Sequence, residues 1–561
     1  MSQMERCVSA HRKEQMHQLK HPVVNYMGGT SYRWNPVDTL KLVTASSIFG
    51  EPAYYRNGAF AEAGISKVSD GRFTVNSLFE AYLIPEMKIY LQKNTSQIME
   101  EVINAALDYD FAATLNWAVT LRREYHMRLN PQVIMVRAAL HPKRNAFTEA
   151  NPGVFAEINA QVMARADEPA SQLTYYLYSN KSKNRIPGIL KRSWAERIGS
   201  MNRYEVYKYR NSGIGMIDTI RICHAKGELI DELMRTGTVE IPAQEKTWET
   251  MRASGASWNE ILNTIHMGHM ALLRNLRGIF TEISDMEQTR RILNQLKKGV
   301  PGGKQFPYRY KSAYDAIKVA SGICHRQMIL DALEECIDIA CGNMPTLPGR
   351  TVCLSDNSGS AWGCITSSYG SVRIAEIDNL SSVITAHNSE EGFVGKFGDR
   401  LQMYEISKRQ GVLHQTEQIN ATGGRDVGHA TENGIWLFFE QAIREKIVYD
   451  NIFIYSDQQA GHGGLFGTQE GIRQYHEAGC CFQNFFVDVA KLIDTYRRTV
   501  NPRVNVFCVQ TAGYDNVLIP ENGYRTSILY GWTGSELVYA DAINRFWDEK
   551  DAELTQTAQT N

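Results

Sequence analysis

The chain has 561 residues, which is too long for one ordinary hydrophobic core, so we expect two large domains or more. Hydrophobic residues make up 43% of it, and 60 basic residues against 61 acidic ones give a formal net charge of -1. This composition excludes a disordered or collagen-like chain. It also excludes binding of nucleic acid through the overall charge, so any such surface must be a local patch.

The amino terminus, residues 1–13, lacks an apolar core of the length that a signal peptide needs, and nowhere does a run of about twenty apolar residues occur. We therefore expect a cytoplasmic protein. The ten cysteines are scattered, without CxxC pairs or the spacing of zinc ligands, which favours reduced and mostly buried thiols.

Residues 32–344 show helical patterning almost throughout. Apolar residues recur three or four positions apart, as on one face of a helix, in residues 37–43, 101–107, 111–119 and 132–140. Asn130 is predicted to cap the last of these helices, with Pro131 at its first position. Many helices of moderate length without strand alternation predict an all-α solenoid of HEAT type over residues 1–345.

Residues 181–226 are rich in basic side chains, with aromatic residues such as Trp194 and Tyr207 between them. Eleven lysines and arginines stand against three acidic residues in this stretch. Cations bind phosphates, and aromatic faces stack on unpaired bases at roughly 1 to 3 kcal/mol each, so the stretch is the best candidate for binding nucleic acid. The competing interpretation is a solvated basic face whose aromatic residues turn into the core.

Several segments carry a family resemblance. Residues 187–197, 207–211 and 218–224 resemble the core of the TROVE domain of the Ro autoantigen family, in a member of bacterial or phage type. Residues 270–277 and 305–309, notably Phe306 and Pro307, are similar to later helices of that family. The resemblance implies a monomeric ring of HEAT-like helices that is completed by an α/β von Willebrand factor A domain.

The same resemblance implies a function. Members of the family bind small noncoding Y RNAs on the outer basic surface and single-stranded 3′ ends of misfolded RNAs in the central hole, and bacterial members are linked to exoribonuclease partners. Lys208, Arg210 and His224 stand at positions similar to the RNA-contacting residues of the family. Together with the composition of the basic stretch, this predicts an RNA-binding set of Lys181, Lys191, Arg192, Arg197, Lys208, Arg210 and His224.

A second basic segment, residues 297–311, is rich in glycine and proline and is predicted to be a loop that ends the preceding helix. It either lines an RNA path or is only a surface connection. A helix over residues 328–340 follows, and the glycines and prolines of residues 342–349 mark the domain boundary.

An apolar run at residues 352–354 leads into Asp356, Ser358 and Ser360, and a second apolar run ends on Asp457. Between them, Thr431 precedes a helix predicted over residues 432–446. Loops at the carboxyl ends of strands meet at the topological switch point of an open α/β sheet, and hard oxygen ligands suit Mg²⁺. The competing interpretation is that Asp and Ser simply form turns here.

This arrangement resembles a von Willebrand factor A domain with a metal-ion-dependent adhesion site. By that resemblance Asp356, Ser358 and Ser360 belong to the first loop, Thr431 to the second and Asp457 to the third. The turn at residues 423–426 offers another register, which would put Arg425 in place of the metal.

The second domain is predicted over residues 346–550, with a frayed polar tail at residues 551–561. It contains a hairpin of residues 392–397 and 401–406, strands at residues 452–456, 504–509 and 527–530, and a closing helix over residues 535–547.

Three functions stay open at this point. The first is a non-catalytic RNA-binding scaffold in RNA quality control or decay. The second is a metal-dependent protein-interaction module without RNA binding. The third is a hydrolase that uses Mg²⁺ held by Asp356 and Asp457, which is the weakest, because two-metal nucleases gather more carboxylates and the sequence contains no GxxxxGK[ST], HExxH or GxSxG motif.

Overall fold

The computed structural model describes residues 21–24, 30–33, 35–46, 95–125, 127–180, 184–210, 216–242, 246–303, 305, 307–342, 344–363, 373–428, 432–458, 489–511, 517–519, 524–530 and 536–560. These residues form two compact units. The helical unit contains the described parts of Pro36–Phe49 and Ser96–Ala256. The mixed unit contains the rest, above all the described parts of Ser257–Asn561.

The helical unit is built from short helices that pack on their neighbours in sequence. They are α1 (Pro36–Ser46), α2 (Thr95–Tyr109), α3 (Phe111–Arg123), α4 (Leu129–Leu140), α5 (Arg144–Ala150), α6 (Val154–Val162), α7 (Glu168–Ser179), α8 (Gly188–Gly199), α9 (Arg203–Tyr209), α10 (Met216–Cys223), α11 (Glu228–Thr236) and α12 (Trp248–Ala253). The four helical stretches predicted from residues 37–140 lie within α1 to α4, so the helical pattern of this region is confirmed.

The predicted cap of α4 is wrong. The helix begins at Leu129, one residue before Asn130, and the buried Asn130 side chain donates to the carbonyl oxygen of Thr44 at 2.6 Å. The asparagine therefore links α4 to α1 and does not cap its own helix. Sequence pattern alone could not separate these two uses of a polar side chain.

A buried polar network holds the basic helix α8 against its neighbours. Trp194 Nε1 donates to Gln172 Oε1 at 2.8 Å, and Gln172 Nε2 donates to Gln132 Oε1 at 2.8 Å and to Asn159 Oδ1 at 2.7 Å. These four side chains are all fully buried or nearly so, and such networks fix one packing arrangement when every member is paired. The orientation of α8 is thereby set from its buried face.

The mixed unit begins with a short antiparallel pair of strands, β1 (His21–Val24) and β2 (Thr30–Arg33), where the sequence had predicted helix from residue 32. Its helices are α13 (Trp258–Thr264), α14 (His269–Glu282), α15 (Met286–Gly303), α16 (Pro307–Val319) and α17 (Arg326–Gly342). The last of these matches the predicted helix over residues 328–340.

The predicted loop at residues 297–311 is wrong over most of its length, because α15 continues to Gly303 through Pro301 and α16 begins at Pro307. His269 of α14 packs on this end of α15. A Cβ atom would approach the His269 ring to 2.5 Å at Gly299 and to 2.2 Å at Gly303, so only glycine permits this contact. The glycines that suggested a loop therefore serve helix packing.

The rest of the mixed unit is an α/β fold. A six-stranded sheet has the order β5-β4-β3-β6-β7-β8, with strands β3 (Leu347–Asp356), β4 (Ser389–Phe397), β5 (Leu401–Glu405), β6 (Asn451–Ser456), β7 (Asn505–Gln510) and β8 (Thr526–Tyr530). All neighbouring pairs are parallel except the β4–β5 hairpin. Every residue of β6 and β7 is buried, as expected for parallel strands covered on both faces. The predicted hairpin and the three predicted strands are confirmed.

The remaining helices are α18 (Gly359–Gly363), α19 (Ile374–His387), α20 (Val412–Asn420), α21 (Glu432–Arg444), α22 (Val489–Thr499) and α23 (Glu536–Thr560). The predicted end of the last helix and the frayed tail are wrong, because α23 runs to Thr560. Buried Arg525 donates to Asp548 and Asp551, each at 2.6 Å, and so ties this helix to the end of the sheet.

Helix α17 packs on α20 within the mixed unit. Two carboxylates of α17 accept hydrogen bonds from the first turn of α20: Asp338 from the N–H of Val412 at 3.2 Å and Glu334 from that of His414 at 3.3 Å. Carboxylates satisfy the free N–H groups at a helix start and complement its dipole.

Among the helices that the structure describes, none has the length and apolar character that a membrane span requires.

Candidate functional site

Two predicted metal ligands meet at the switch point of the sheet. Strands β3 and β6 are adjacent and parallel, with Ser355 opposite Tyr455, and the chain leaves β3 toward β4 on one side and returns as β6 on the other. Asp356 at the end of β3 and Asp457 just after β6 are therefore neighbours, and both are buried. Ser358 lies in the loop that follows Asp356 and is buried as well.

The Asp356 carboxylate accepts hydrogen bonds from residues of both neighbouring loops. The backbone N–H of Ser358 donates to its Oδ1 at 2.9 Å, and Ser456 Oγ donates to its Oδ2 at 2.7 Å. Burial raises the pKa of Asp356, while these hydrogen bonds from Ser358 and Ser456 oppose that rise. Sequence reasoning missed Ser456, because a serine inside an apolar strand gives no sign of which loop it faces.

The loop after β3 is locked in place by side-chain amides. Asn357 Nδ2 donates to Asn379 Oδ1 at 2.8 Å, and Asn379 Nδ2 donates back to Asn357 Oδ1 at 3.0 Å. Asn379 Nδ2 also donates to Asn420 Oδ1 at 2.7 Å, which connects α19 to α20. A loop fixed by such bonds presents its carboxylate and hydroxyl without further rearrangement.

The Ser360 side chain and Thr431 lie outside the described residues, so these two metal predictions remain predictions. Arg425 is exposed and its Nε donates to the carbonyl of Thr422 at 3.0 Å, so the arginine does not lie beside Asp356. The adjacent Gly424, at φ +80, would bring a Cβ atom to 2.7 Å from the Asn357 carbonyl oxygen. This glycine turn therefore packs directly on the loop after β3.

Sequence reasoning also missed Asp378 on α19. It is fully buried, neither of its carboxylate oxygens has a hydrogen-bond partner, and burial followed by the charges of Asp356 and Asp457 raises its pKa well above the usual range. A signal was present in the sequence: Asp378 and Asn379 interrupt the apolar run from Ile374 to Leu380 on a helix that must cover the sheet. Because burying a polar group without a partner is costly, polar residues on a buried helix face indicate a site.

The donor set suits a hard divalent cation. Carboxylate and hydroxyl oxygens are what Mg²⁺ binds, and Mg²⁺ keeps several of its waters. Within the described ranges, no three acidic, histidine or cysteine side chains are arranged to bind one ion together. An ion here would take its protein ligands from a mixture of carboxylate and hydroxyl groups, with water completing the shell.

In the helical unit, acids from other helices pair with many cations of the basic stretch. Arg197 binds Glu205 at 2.8 Å, Arg203 binds Glu232 at 3.1 Å, and Lys208 binds Glu249 at 2.7 Å. Two of these three acids, Glu232 and Glu249, lie beyond the stretch that the sequence had singled out. The predicted RNA-binding residues Arg197 and Lys208 are thus largely neutralised.

Other cations of the predicted set have no acidic partner among the described residues. Lys191 and Arg192 lie on α8, with Arg192 exposed, and Arg210 follows α9 with its guanidinium 4.0 Å from the centroid of the Tyr207 ring. His224 is exposed, at φ +58, just after α10. Lys181 lies outside the described residues.

Arg192 opens onto a groove of about 550 Å³ between α5, α6 and α8. Arg144 lines the opposite side, and its guanidinium is oriented by the carbonyl of Ala139 at 2.7 Å and by Asn145 Oδ1 at 2.7 Å. Glu196 is the acid among the lining residues. Sequence reasoning missed Arg144 because it precedes the basic stretch by some forty residues.

The aromatic residues of the stretch divide into two groups. Trp194 is fully buried and hydrogen-bonded within the core, so it cannot stack on a base. Tyr209 accepts a hydrogen bond from Arg165 at 2.7 Å, and Tyr207 is partly covered by Arg210. Trp194 therefore follows the competing interpretation, whereas the tyrosines of the stretch, Tyr204, Tyr207 and Tyr209, are half-buried and lie beside its cations.

Residues 234–349 match the family model described as the TROVE domain. A solved structure, the crystal structure of the Deinococcus radiodurans RO (RSR) protein, is similar to this chain with a TM-score of 0.51 and 12% sequence identity, covering 79% of this chain and 93% of that chain. None of the curated proteins matches the chain in sequence. The predicted resemblance to the Ro family is confirmed, and so is the predicted fold class, in which a largely helical part is followed by an α/β domain of the von Willebrand factor A type.

Proposed function

We propose that this chain, similar to the TROVE domain and to a Ro protein in fold, is an RNA-binding protein that contacts phosphates through the groove between α5, α6 and α8. The observation that carries the proposal is the pair Arg144 and Arg192, two arginines on one groove without an acidic partner among the described residues. Lys191 adds a third cation on α8. Planar guanidinium groups bind phosphate oxygens with two parallel hydrogen bonds.

The groove is better suited to binding the phosphate backbone of RNA than to binding its bases. Arg144 is held in place by Ala139 and Asn145, so little side-chain entropy is lost when a phosphate binds. The buried Trp194 leaves no large aromatic face on α8 for stacking. RNA would therefore be bound mainly by charge and shape, with the strong salt dependence that such contacts bring.

The finer assignments follow from the family resemblance. We propose small noncoding, Y-like RNA and the single-stranded 3′ ends of misfolded RNA as ligands, and a role as a non-catalytic scaffold in RNA quality control, with an exoribonuclease as a protein partner. We also propose that Asp356, Ser358 and Asp457, together with Ser360 and Thr431, hold Mg²⁺. The ion would cross-link the loops at the carboxyl edge of the sheet.

The RNA proposal is tested by titrating the full chain with a fluorescent hairpin RNA that carries a single-stranded 3′ tail, at several salt concentrations. Arg144→Ala/Arg192→Ala should weaken binding about tenfold and reduce the slope of log affinity against log salt by about 1.5, since each phosphate contact contributes roughly 0.7 to 0.9. Arg203→Ala is the matched control, because it removes an arginine that Glu232 already neutralises.

Unchanged affinity and slope in the double variant would overturn the groove assignment. Absence of salt-dependent RNA binding by the native chain would overturn the RNA proposal itself and would favour the metal-dependent protein-interaction module.

A further inference from the structure

Asp378 is an unsatisfied carboxylate in the interior of the α/β fold. It lies on the face of α19 that covers the sheet, its side chain is fully buried, and neither oxygen has a hydrogen-bond partner. Leaving a buried charged group without partners costs more than the roughly 1 to 3 kcal/mol of a neutral one, so such groups are rare in folded proteins. A carboxylate in this state needs a specific compensation.

The charges around Asp378 increase its need for compensation. The charges that act on Asp378 are those of Asp356 and Asp457, and both are negative. No lysine, arginine or histidine of the described residues pairs with it. These two negative charges therefore oppose ionisation of Asp378 further.

Hydroxyl groups around Asp378 are also unsatisfied. Ser382 lies one turn further along α19, and its Oγ has no partner. Thr511 follows β7, with its N–H donating to the Ser456 carbonyl at 3.2 Å, and its hydroxyl favours the ionised form of Asp378 without making a hydrogen bond of normal geometry. Unpaired polar atoms gathered in one buried place are typical of a site that takes up water or an ion.

We propose that Asp378 is a positioning carboxylate of the cation site, which accepts hydrogen bonds from water bound to a divalent cation held by Asp356, Ser358 and Asp457. This inference rests on the metal proposal above. Mg²⁺ retains several waters, and carboxylates that orient the ligands of a metal from outside its first shell typically change its affinity by 10- to 100-fold. Water-mediated contact is consistent with the absence, in the described ranges, of three acidic side chains that bind one ion directly.

The test compares Asp378→Asn with Glu376→Gln in the full chain, by calorimetric titration with Mg²⁺ and with Mn²⁺ after removal of bound metal by EDTA. Glu376 is the matched control, because it removes one charge from the same helix at a side chain that caps the helix start through the N–H of Arg373. Asp378→Asn should weaken binding of both cations by 10- to 100-fold, and Glu376→Gln should leave it within about twofold. Equal cation affinity in Asp378→Asn and native chains would overturn the inference.

Thermal unfolding supplies a second readout that a merely structural role would not reproduce. In EDTA, Asp378→Asn should unfold at a temperature no lower than that of the native chain, because without the cation burial opposes ionisation of Asp378 and the substitution removes no stabilising charge. With excess MgCl₂ the native chain should gain more than the variant. A variant that is less stable in both conditions would show that Asp378 acts in packing alone.

The two proposals fail in distinguishable ways. If the folded native chain binds neither cation, the metal site itself is refuted and the role of Asp378 is refuted with it. If the native chain binds and Asp378→Asn binds equally well, only the role of Asp378 is refuted.

Discussion

The basic surface of the helical unit and the acidic edge of the sheet handle charge in opposite ways. On the helices, acids from neighbouring elements neutralise cations such as Arg197 and Lys208. At the sheet edge, Asp378 is buried with both carboxylate oxygens unpaired, and the negative charges of Asp356 and Asp457 act on it. The sequence made the basic surface of the helices look strongly charged, but ion pairs balance much of its charge. The edge of the sheet looked like a short loop motif in sequence, but it brings acidic side chains together.

Burial decides which of these charges have large energetic effects. Lys208 and Glu249 each keep 32% of their side-chain surface exposed, so water and salt screen their attraction. Lys396 of β4 is 0% exposed and pairs with Asp426 at 2.8 Å, next to the glycine turn that packs on the loop after β3. The comparison predicts that breaking ion pairs has large effects near the sheet and small effects on the helices.

The largest effect is expected from Asp426→Ala. Loss of this carboxylate leaves the buried Lys396 ammonium with only the Thr422 hydroxyl and the Ile419 carbonyl, and the free energy of unfolding should fall by about 3 kcal/mol. Chemical denaturation measures it. The matched control is Glu417→Ala, which breaks the more exposed pair with Lys318 in the same unit and should cost less than about 1 kcal/mol. Equal losses in the two variants would show that burial does not make the Lys396–Asp426 pair the more important one.

The Lys396–Asp426 ion pair also makes the free energy of unfolding depend on pH. Burial alone would raise the pKa of Asp426, but hydrogen bonds from Lys396 and Thr422 and the Lys396 charge outweigh it, so the folded-state pKa lies below the usual value of 3.8. Between the pKa of Asp426 in the unfolded chain and its lower pKa in the folded chain, the unfolded chain binds more protons. The stability that the ion pair contributes is therefore fully present above pH 3.8 and is lost as the pH falls through the folded-state pKa. Acid unfolding of the native chain should show this loss, and Asp426→Ala should lack it.

The sequence predicted the sheet and the proximity of Asp356 to Asp457 because both follow from local pattern. Apolar runs that end on Asp356 and Asp457 place two carboxylates at strand ends, and the strand order then makes them neighbours. It did not predict Ser456 or Asp378, since the direction in which a polar side chain points from a strand or helix depends on packing. The glycines at 299 and 303 misled for the same reason, because their role is to admit His269 and not to break a helix.

The basic stretch shows where sequence reasoning fails. Counting charges along residues 181–226 ignored Glu232 and Glu249, which folding brings onto Arg203 and Lys208, and it ignored Arg144, which folding brings to the groove beside Arg192. Local composition reports which residues share a segment. It does not report which residues share a surface.

The smallest effect is expected from Glu249→Gln. The substitution removes the acid 41 positions away that neutralises Lys208, and because the pair is exposed the free energy of unfolding should change by less than about 1 kcal/mol. The freed Lys208 can then contact phosphate, so affinity for the tailed hairpin RNA should rise about threefold, with a salt slope steeper by about 0.7 to 0.9. Glu228→Gln is the control, since it removes the same charge from an exposed residue that pairs with no cation among the described residues. A rise in affinity for both variants would indicate a general charge effect. If affinity rises for neither variant, the surface around Lys208 lies outside the RNA path, and the groove of Arg144 and Arg192 binds RNA without it.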